Sequence, residues 1–183
     1  EDPVVSGKIA AAIVKGIQSV PGVSACPKHF ACNNQEYKRN TNDSRVSERA
    51  LREIYLKGFE ICVKEAKPIN LMTSYNKING VWGHYHYELV QGLLRGEWKY
   101  EGNVMTDWWM RSSKSPEFPM LKDNAYRVRA GVDVLMPGGK LISFFSRKPD
   151  GTLLATYGKK EGITLGELQY CARNVLRCVM ELK

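Results

Sequence analysis

Asn103-Val104-Met105-Thr106-Asp107-Trp108-Trp109 is a short apolar run that ends in one carboxylate followed by two indoles. Its reading decides the fold: a run this short, not alternating in polarity and closed by polar residues, is a strand buried on both faces. A carboxylate at a strand's end beside flat aromatic faces is what a sugar-cleaving barrel needs, a charge near the anomeric carbon and a platform for the ring. The plainer reading is an Asp that caps the next helix and two Trp that belong to the core. For the stretch alone that is the commoner case.

The chain has 183 residues, 43% hydrophobic and 25% charged, which suits one folded domain and excludes a disordered chain. No apolar run approaches the ~20 residues that span a bilayer, so no membrane partner is expected. The N-terminal Glu1-Asp2-Pro3 has no basic stretch leading into an apolar one, and the expected location is cytoplasmic rather than secreted. Five cysteines, Cys26, Cys32, Cys62, Cys171 and Cys178, show no CxxC spacing. They read as free thiols, and neither a metal site nor a cofactor is expected. The net charge of +8 is scattered along the chain rather than gathered into a basic block with aromatics. This is a solvated surface, and no nucleic-acid partner is expected.

Upstream of the opening strand, Asp2-Pro3 is an N-cap and first-turn proline. Ile9, Ala10, Ile13, Val14 and Ile17 then recur at helical spacing until Pro21-Gly22. Val23 to Cys26 is expected as a short strand leading to Pro27-Lys28-His29-Phe30, where proline cannot donate and ladder pairing should fail. A polar loop over 33–44 precedes a helix from Ser47 to about Ala66, with Leu51, Ile54, Tyr55, Phe59 and Cys62 on one face. Asn70 to Tyr75 is the next strand, Asn79-Gly80 a turn, and Leu89, Leu93, Leu94 and Trp98 mark a helix closed by Gly102. His84 and His86 read as surface or capping residues.

Downstream come a long loop from Trp109 to Asp123, a short helix around Ala125 to Ala130 and a strand from Val132 to Pro137. Gly138-Gly139 opens a second irregular region with a Pro149-Asp150-Gly151 turn. A last helix starts at a Thr164/Glu167 capping box and runs along Leu168, Cys171, Val175, Cys178, Val179 and Leu182. The rhythm predicts an α/β fold of parallel βα units, about four strands. Lys28-His29, Tyr75 and Asp107 fall at strand C-terminal ends, the rim on which a βα barrel carries its chemistry.

KHFACNNQE at 28–36, VSERALREIYLKGFE at 46–60, MTSYNKING at 72–80, NVMTDWW at 103–109 and AGVDVLMPGG at 130–139 resemble the glycoside hydrolase family 3 β-glucosidases over nearly the whole chain. The resemblance implies the second half of a TIM-type (β/α)8 barrel and a retaining hydrolase of β-linked glucosides. It implies that Asp107 is the nucleophile, that Lys28, His29 and Arg39 hold sugar hydroxyls, that Tyr75 lies beside the nucleophile and donates to it, and that Trp108 is an aromatic wall. From the residues alone Lys28 could be a solvated lysine, or the amine of a Schiff-base barrel, and His29 a core histidine. Glu36 lies in the same motif with no assigned chemistry, able to orient Lys28 or Arg39. Neighbours in a regular strand face opposite ways, so Lys28 and His29 reach one sugar only if the backbone from Cys26 to Phe30 is irregular; a non-proline cis bond is one route.

Residues 1–183 are expected as a single partial barrel domain, with the other barrel strands and the family's second α/β domain absent. A retaining mechanism requires a second carboxyl about 5–5.5 Å from the first. Glu97, Glu101 and Glu117 are candidates only by being acidic. The expected function is retaining hydrolysis of β-D-glucosides as part of a larger β-glucosidase, the isolated chain being incomplete; the alternative is a non-catalytic carbohydrate-binding or scaffold domain. Expected partners are a β-glucoside or oligosaccharide, the missing barrel half and second domain, and further copies of the chain docking on open edges.

Overall fold

The computed structural model describes residues 2–137 and 151–182. The Gly138-Gly139 opening of the second irregular region and the turn at Pro149-Asp150 lie outside the described residues. Six short strands are present among those described: β1 (Asp43–Ser44), β2 (Asn70–Met72), β3 (Lys77–Ile78), β4 (Val81–Trp82), β5 (Asn103–Trp108) and β6 (Val134–Met136). β5, the strand read first, is the centre of a parallel sheet ordered β2-β5-β6. Asn70, Leu71 and Met72 pair with Asn103, Val104 and Met105. Parallel neighbours joined by helical crossovers make an α/β architecture.

The segment from Ala25 to Phe30 lies along the other side of β2 but is not a regular strand. Met72 donates to the Pro27 carbonyl (3.1 Å), Phe30 to the Met72 carbonyl (2.9 Å) and Ser74 to the Phe30 carbonyl (3.0 Å). The strand expected at Val23 to Cys26 is therefore corrected to an irregular fourth row, in which Pro27 offers no N–H. The Lys28–His29 and Phe30–Ala31 peptides are both cis, so the irregular backbone expected from Cys26 to Phe30 is present.

A small second sheet, β1-β3-β4, stands beyond the end of β2. β3 and β4 form a hairpin whose turn residues Asn79 (φ 49) and Gly80 (φ 93) both take left-handed backbone, the twist that suits a two-residue hairpin loop. The polar stretch 33–44 was expected as loop throughout, yet its end supplies β1, paired with β3.

Helices cover the sheet. Pro3–Gln18 is capped by the Asp2 carboxylate, which accepts from Val4 and Val5. Of the expected stripe Val14 is buried and Ala10 half-buried, whereas Ile9, Ile13 and Ile17 are exposed and Gly7 and Ala11 are buried instead. The reason is close packing on the helix Lys57–Ala66: a Cβ at Gly7 would lie 3.0 Å from Gly58 Cα, so the small side of the helix is the side that approaches its neighbour. The second helix starts at the Ser47 cap, whose hydroxyl accepts from Ala50, and contains a π-helical turn, Leu51–Tyr55. Leu51 and Cys62 are buried and Phe59 packs on the core as expected, but the wider turn brings Leu56 fully inward and leaves Ile54 and Tyr55 exposed, which corrects those two.

Leu89, Leu93, Leu94 and Trp98 are buried as expected on the π-helix Glu88–Glu97. That helix is stopped by Lys99 in left-handed backbone (φ 57), ahead of Gly102. Asp123–Arg129, Thr152–Thr156 and Leu165–Glu181 complete the layer. On the last of these the Thr164/Glu167 capping box is formed, but Val179 faces solvent, and Asn174 is buried. Asn174 reaches into a polar cluster beneath the helices. Asp133 takes hydrogen bonds from Arg95 (2.6 Å), the Val104 amide (2.8 Å) and Asn174 (2.9 Å), so one carboxylate ties two helices to β5 and the approach to β6. Phe30, Leu56, Leu71, Val90, Leu94, Val104 and Val132 form the main apolar core between sheet and helices.

Candidate functional site

The site is built at the C-terminal end of β5. Between Met105 and Trp108 the pairing with β6 shifts register, and the Met136 amide is taken by the Thr106 hydroxyl (2.9 Å) instead of a backbone carbonyl. Such irregularities re-aim side chains at strand ends. Asp107 is 8% exposed. Its Oδ1 accepts from the Trp108 amide (2.7 Å), while its buried Oδ2 has no hydrogen-bond partner among the described residues. The Trp108 amide thus fixes the orientation of the carboxylate at the end of β5.

His29 comes closest: its Nε2 is 3.2 Å from Asp107 Oδ2. Burial pushes the His29 imidazole below its ordinary value, Asp107 pulls it up, and the positive charges of Lys28 and Arg39 lower it again. The net direction is down, so near neutral pH this contact joins a neutral ring to a carboxylate rather than forming an ion pair. Lys28, joined to His29 through the cis bond, is exposed and acts on that ring through its charge.

Tyr75 follows β2, and its hydroxyl donates to the Trp108 carbonyl (2.7 Å). Burial and then the nearby Asp107 charge raise its phenol. Tyr75 thus links the ends of two strands, and its proton is given to the backbone beside Asp107. Arg39 lies over the Tyr75 ring, 4.6 Å from its centroid. Trp108, half-buried at the end of β5, completes the group. Asp107, His29, Tyr75, Arg39 and Trp108 are therefore in one place, with Lys28 at its edge.

The three glutamates considered for a second carboxyl are committed elsewhere. Glu97 pairs with Arg52 through two bonds (2.7 and 2.9 Å), Glu101 pairs with Arg177 (3.2 Å), and Glu117 accepts from the Tyr126 hydroxyl (3.0 Å). The loop between Trp109 and Asp123 is ordered by its own bonds, among them Asp123 accepting from the Ser113 amide (2.7 Å) and the Ser115 hydroxyl accepting from the Phe118 amide (2.8 Å). His84 is not at the surface but completely buried, its ring beside Tyr85 with centroids 4.1 Å apart. His86 caps the following helix, its Nδ1 accepting from Leu89 (3.3 Å).

The residue that sequence reasoning left without a role is Glu36, whose Oε2 accepts from Arg39 (2.9 Å) and whose Oε1 accepts from Asn33 (2.9 Å). Its place in the KHFACNNQE motif, close in sequence to Arg39, was the available signal.

Comparison with known proteins agrees with this architecture. The profile of the "Glycosyl hydrolase family 3 N terminal domain" matches residues 1–147. A β-glucosidase of Ruminococcus albus is 42% identical over 180 residues, covering 98% of this chain and 18% of that protein. β-Glucosidase B of Emericella nidulans is 42% identical over 183 residues, 100% of this chain and 20% of that one. The crystal structure of β-glucosidase from Kluyveromyces marxianus in complex with glucose superposes with a TM-score of 0.85 at 34% identity, over 100% of this chain and 20% of that chain. This chain spans about a fifth of the length of these relatives.

Proposed function

The chain belongs to glycosyl hydrolase family 3, whose N-terminal domain it matches, and from that membership we propose that it carries the nucleophile and glycone-binding part of a retaining β-glucosidase site. The observation that carries this reading is Asp107: buried at a strand's end, one oxygen fixed by the Trp108 amide, the other unsatisfied and 3.2 Å from His29. In the proposed reaction Asp107 attacks the anomeric carbon and the aglycone oxygen leaves with a proton from a general acid. Water later opens the glycosyl ester with retention. Lys28, His29, Arg39 and Trp108 would hold the glucosyl ring, and Tyr75 would fix the backbone beside the nucleophile.

Glu97, Glu101 and Glu117 pair with Arg52, Arg177 and Tyr126, and to none of them do we give the role of general acid. We therefore assign that role to a carboxyl outside this chain, in a larger β-glucosidase. The exposed apolar residues Ile9, Ile13 and Ile17 on the first helix and Leu176, Val179 and Met180 on the last suit docking with further βα units or with another copy.

The test is labelling with a 2-deoxy-2-fluoro-β-glucoside bearing a good leaving group, which does not rely on an acid for the first step. A glucosyl adduct on the Asp107 peptide by mass spectrometry is expected, and none with Asp107→Asn. Reversible sugar binding without any adduct would favour a carbohydrate-binding domain.

A further inference from the structure

Resting on that reading of the site, we propose that Glu36 is a positioning residue: it holds the Arg39 guanidinium in the orientation that presents its remaining N–H groups to the glycone hydroxyls. Arg39 is gripped from two directions. One Nη1 bond goes to Glu36 Oε2 at 2.9 Å, and the plane rests over the Tyr75 ring at 4.6 Å. A guanidinium has five N–H donors in a rigid fork, and this single bond to Glu36 leaves most of them for a ligand. Glu36 is itself held, its second oxygen accepting from Asn33 Nδ2 at 2.9 Å. Tyr75 is held in turn by the Trp108 carbonyl at 2.7 Å. A continuous chain of contacts therefore runs from Asn33 through Glu36, Arg39 and Tyr75 to the backbone next to Asp107.

The bond to Arg39 is an exposed pair three residues apart, with side-chain exposures of 68% for Glu36 and 37% for Arg39. Pairs of that kind add little to folding stability. Its effect is on orientation: an arginine side chain that is already ordered loses less freedom when it meets the sugar, so the contact strengthens binding without strengthening the fold.

The experiment measures glucose binding to the 183-residue chain by NMR titration, with melting temperature in parallel, for wild type, Glu36→Gln, Glu36→Asp, Arg39→Ala and Glu36→Gln/Arg39→Ala. Glu36→Gln should weaken glucose binding by about three- to tenfold, the scale of one charge-assisted contact, and leave the melting temperature unchanged. Glu36→Asp should recover part of the loss. Arg39→Ala should cost at least as much as Glu36→Gln, and the double variant should bind no more weakly than Arg39→Ala, since Glu36 acts only through Arg39. Wild-type affinity in Glu36→Gln, or losses that add in the double variant, would overturn the positioning role while leaving the site reading intact. A wild-type chain that binds no glucose at all would overturn both.

Discussion

Removal of the Asp133 carboxylate should loosen the sheet that carries Asp107, and the cost can be worked from its contacts. The Asp133 side chain is fully buried and that of Arg95 is 4% exposed. Burial is the leading influence on Asp133 and raises its carboxyl above the ordinary value despite Arg95, the Val104 amide and Asn174. The ion pair is thus no great net source of stability, but breaking it from one side leaves a buried cation uncompensated, typically ~3–5 kcal/mol. Arg95 keeps the Gly131 and Gly102 carbonyls (3.0 and 3.2 Å), which limits that part. The Val104 amide and Asn174 each lose an acceptor, which adds to it.

For Asp133→Ala the sum is about 4 kcal/mol, or a melting temperature lower by about 8–16 °C in a chain of this size. Urea and thermal unfolding followed by circular dichroism measure both. The matched replacement Arg95→Met/Asp133→Leu should be far milder, because it removes both charges together. A loss below about 1 kcal/mol for Asp133→Ala, or a double replacement as damaging as the single, would refute the reasoning.

Acid should unfold the chain through its buried imidazoles: burial lowers His84 to about 3 and His86 to about 4, from 6.5. Because both folded values are depressed, their contribution is fully present above pH 6.5 and is lost as pH falls toward 4 and then 3. At pH 5 each should have cost ~2 kcal/mol, and a His84→Gln variant whose urea midpoint falls between pH 7 and 5 as steeply as wild type would contradict this. Gly162→Ala places a Cβ 1.9 Å from the Thr156 carbonyl oxygen. It should lower stability by ~3 kcal/mol or more, read from the denaturation midpoint, and a variant as stable as wild type would show that the loop yields freely. If the exposed Ile9, Ile13 and Ile17 drive self-association, Ile13→Glu should shift sedimentation toward monomer, whereas a wild-type chain that is monomeric at every concentration would count against that docking face.

Helix starts and the parallel class were legible because they rest on local chemistry. Asp2 and Thr164 cap where their side chains reach the first free amides, and the short stretch from Asn103, bounded by Gly102 and followed by a polar loop, reads as the strand it forms. The faces of three helices were legible only in part: Val14, Leu51, Cys62 and Cys171 are buried as their spacing implies. A π turn at Leu51–Tyr55 moved Leu56 inward, and close packing at Gly7 and Gly58 turned Ile9 and Ile13 outward. Asn174 took an inward place on the last helix because Asp133 offered it a partner, a contact between residues 41 positions apart. The hairpin at Asn79-Gly80 did have a local signal in its turn residues, whereas β1 pairs with it from more than thirty residues away.

By itself, then, the amino-acid order determined which groups are available: a carboxylate and two indoles at the end of one strand, Lys-His at the end of an irregular row, and a tyrosine at the end of another. Only the tertiary structure decided that Asp107 leaves one oxygen unsatisfied toward His29, that Tyr75 gives its proton to the Trp108 carbonyl, and that Glu36 holds Arg39 over the Tyr75 ring. Hydrogen bonds and stacking act over a few ångströms, and the residues they join here come from separate segments, so it is the parallel packing of β2 beside β5 that brings them within reach.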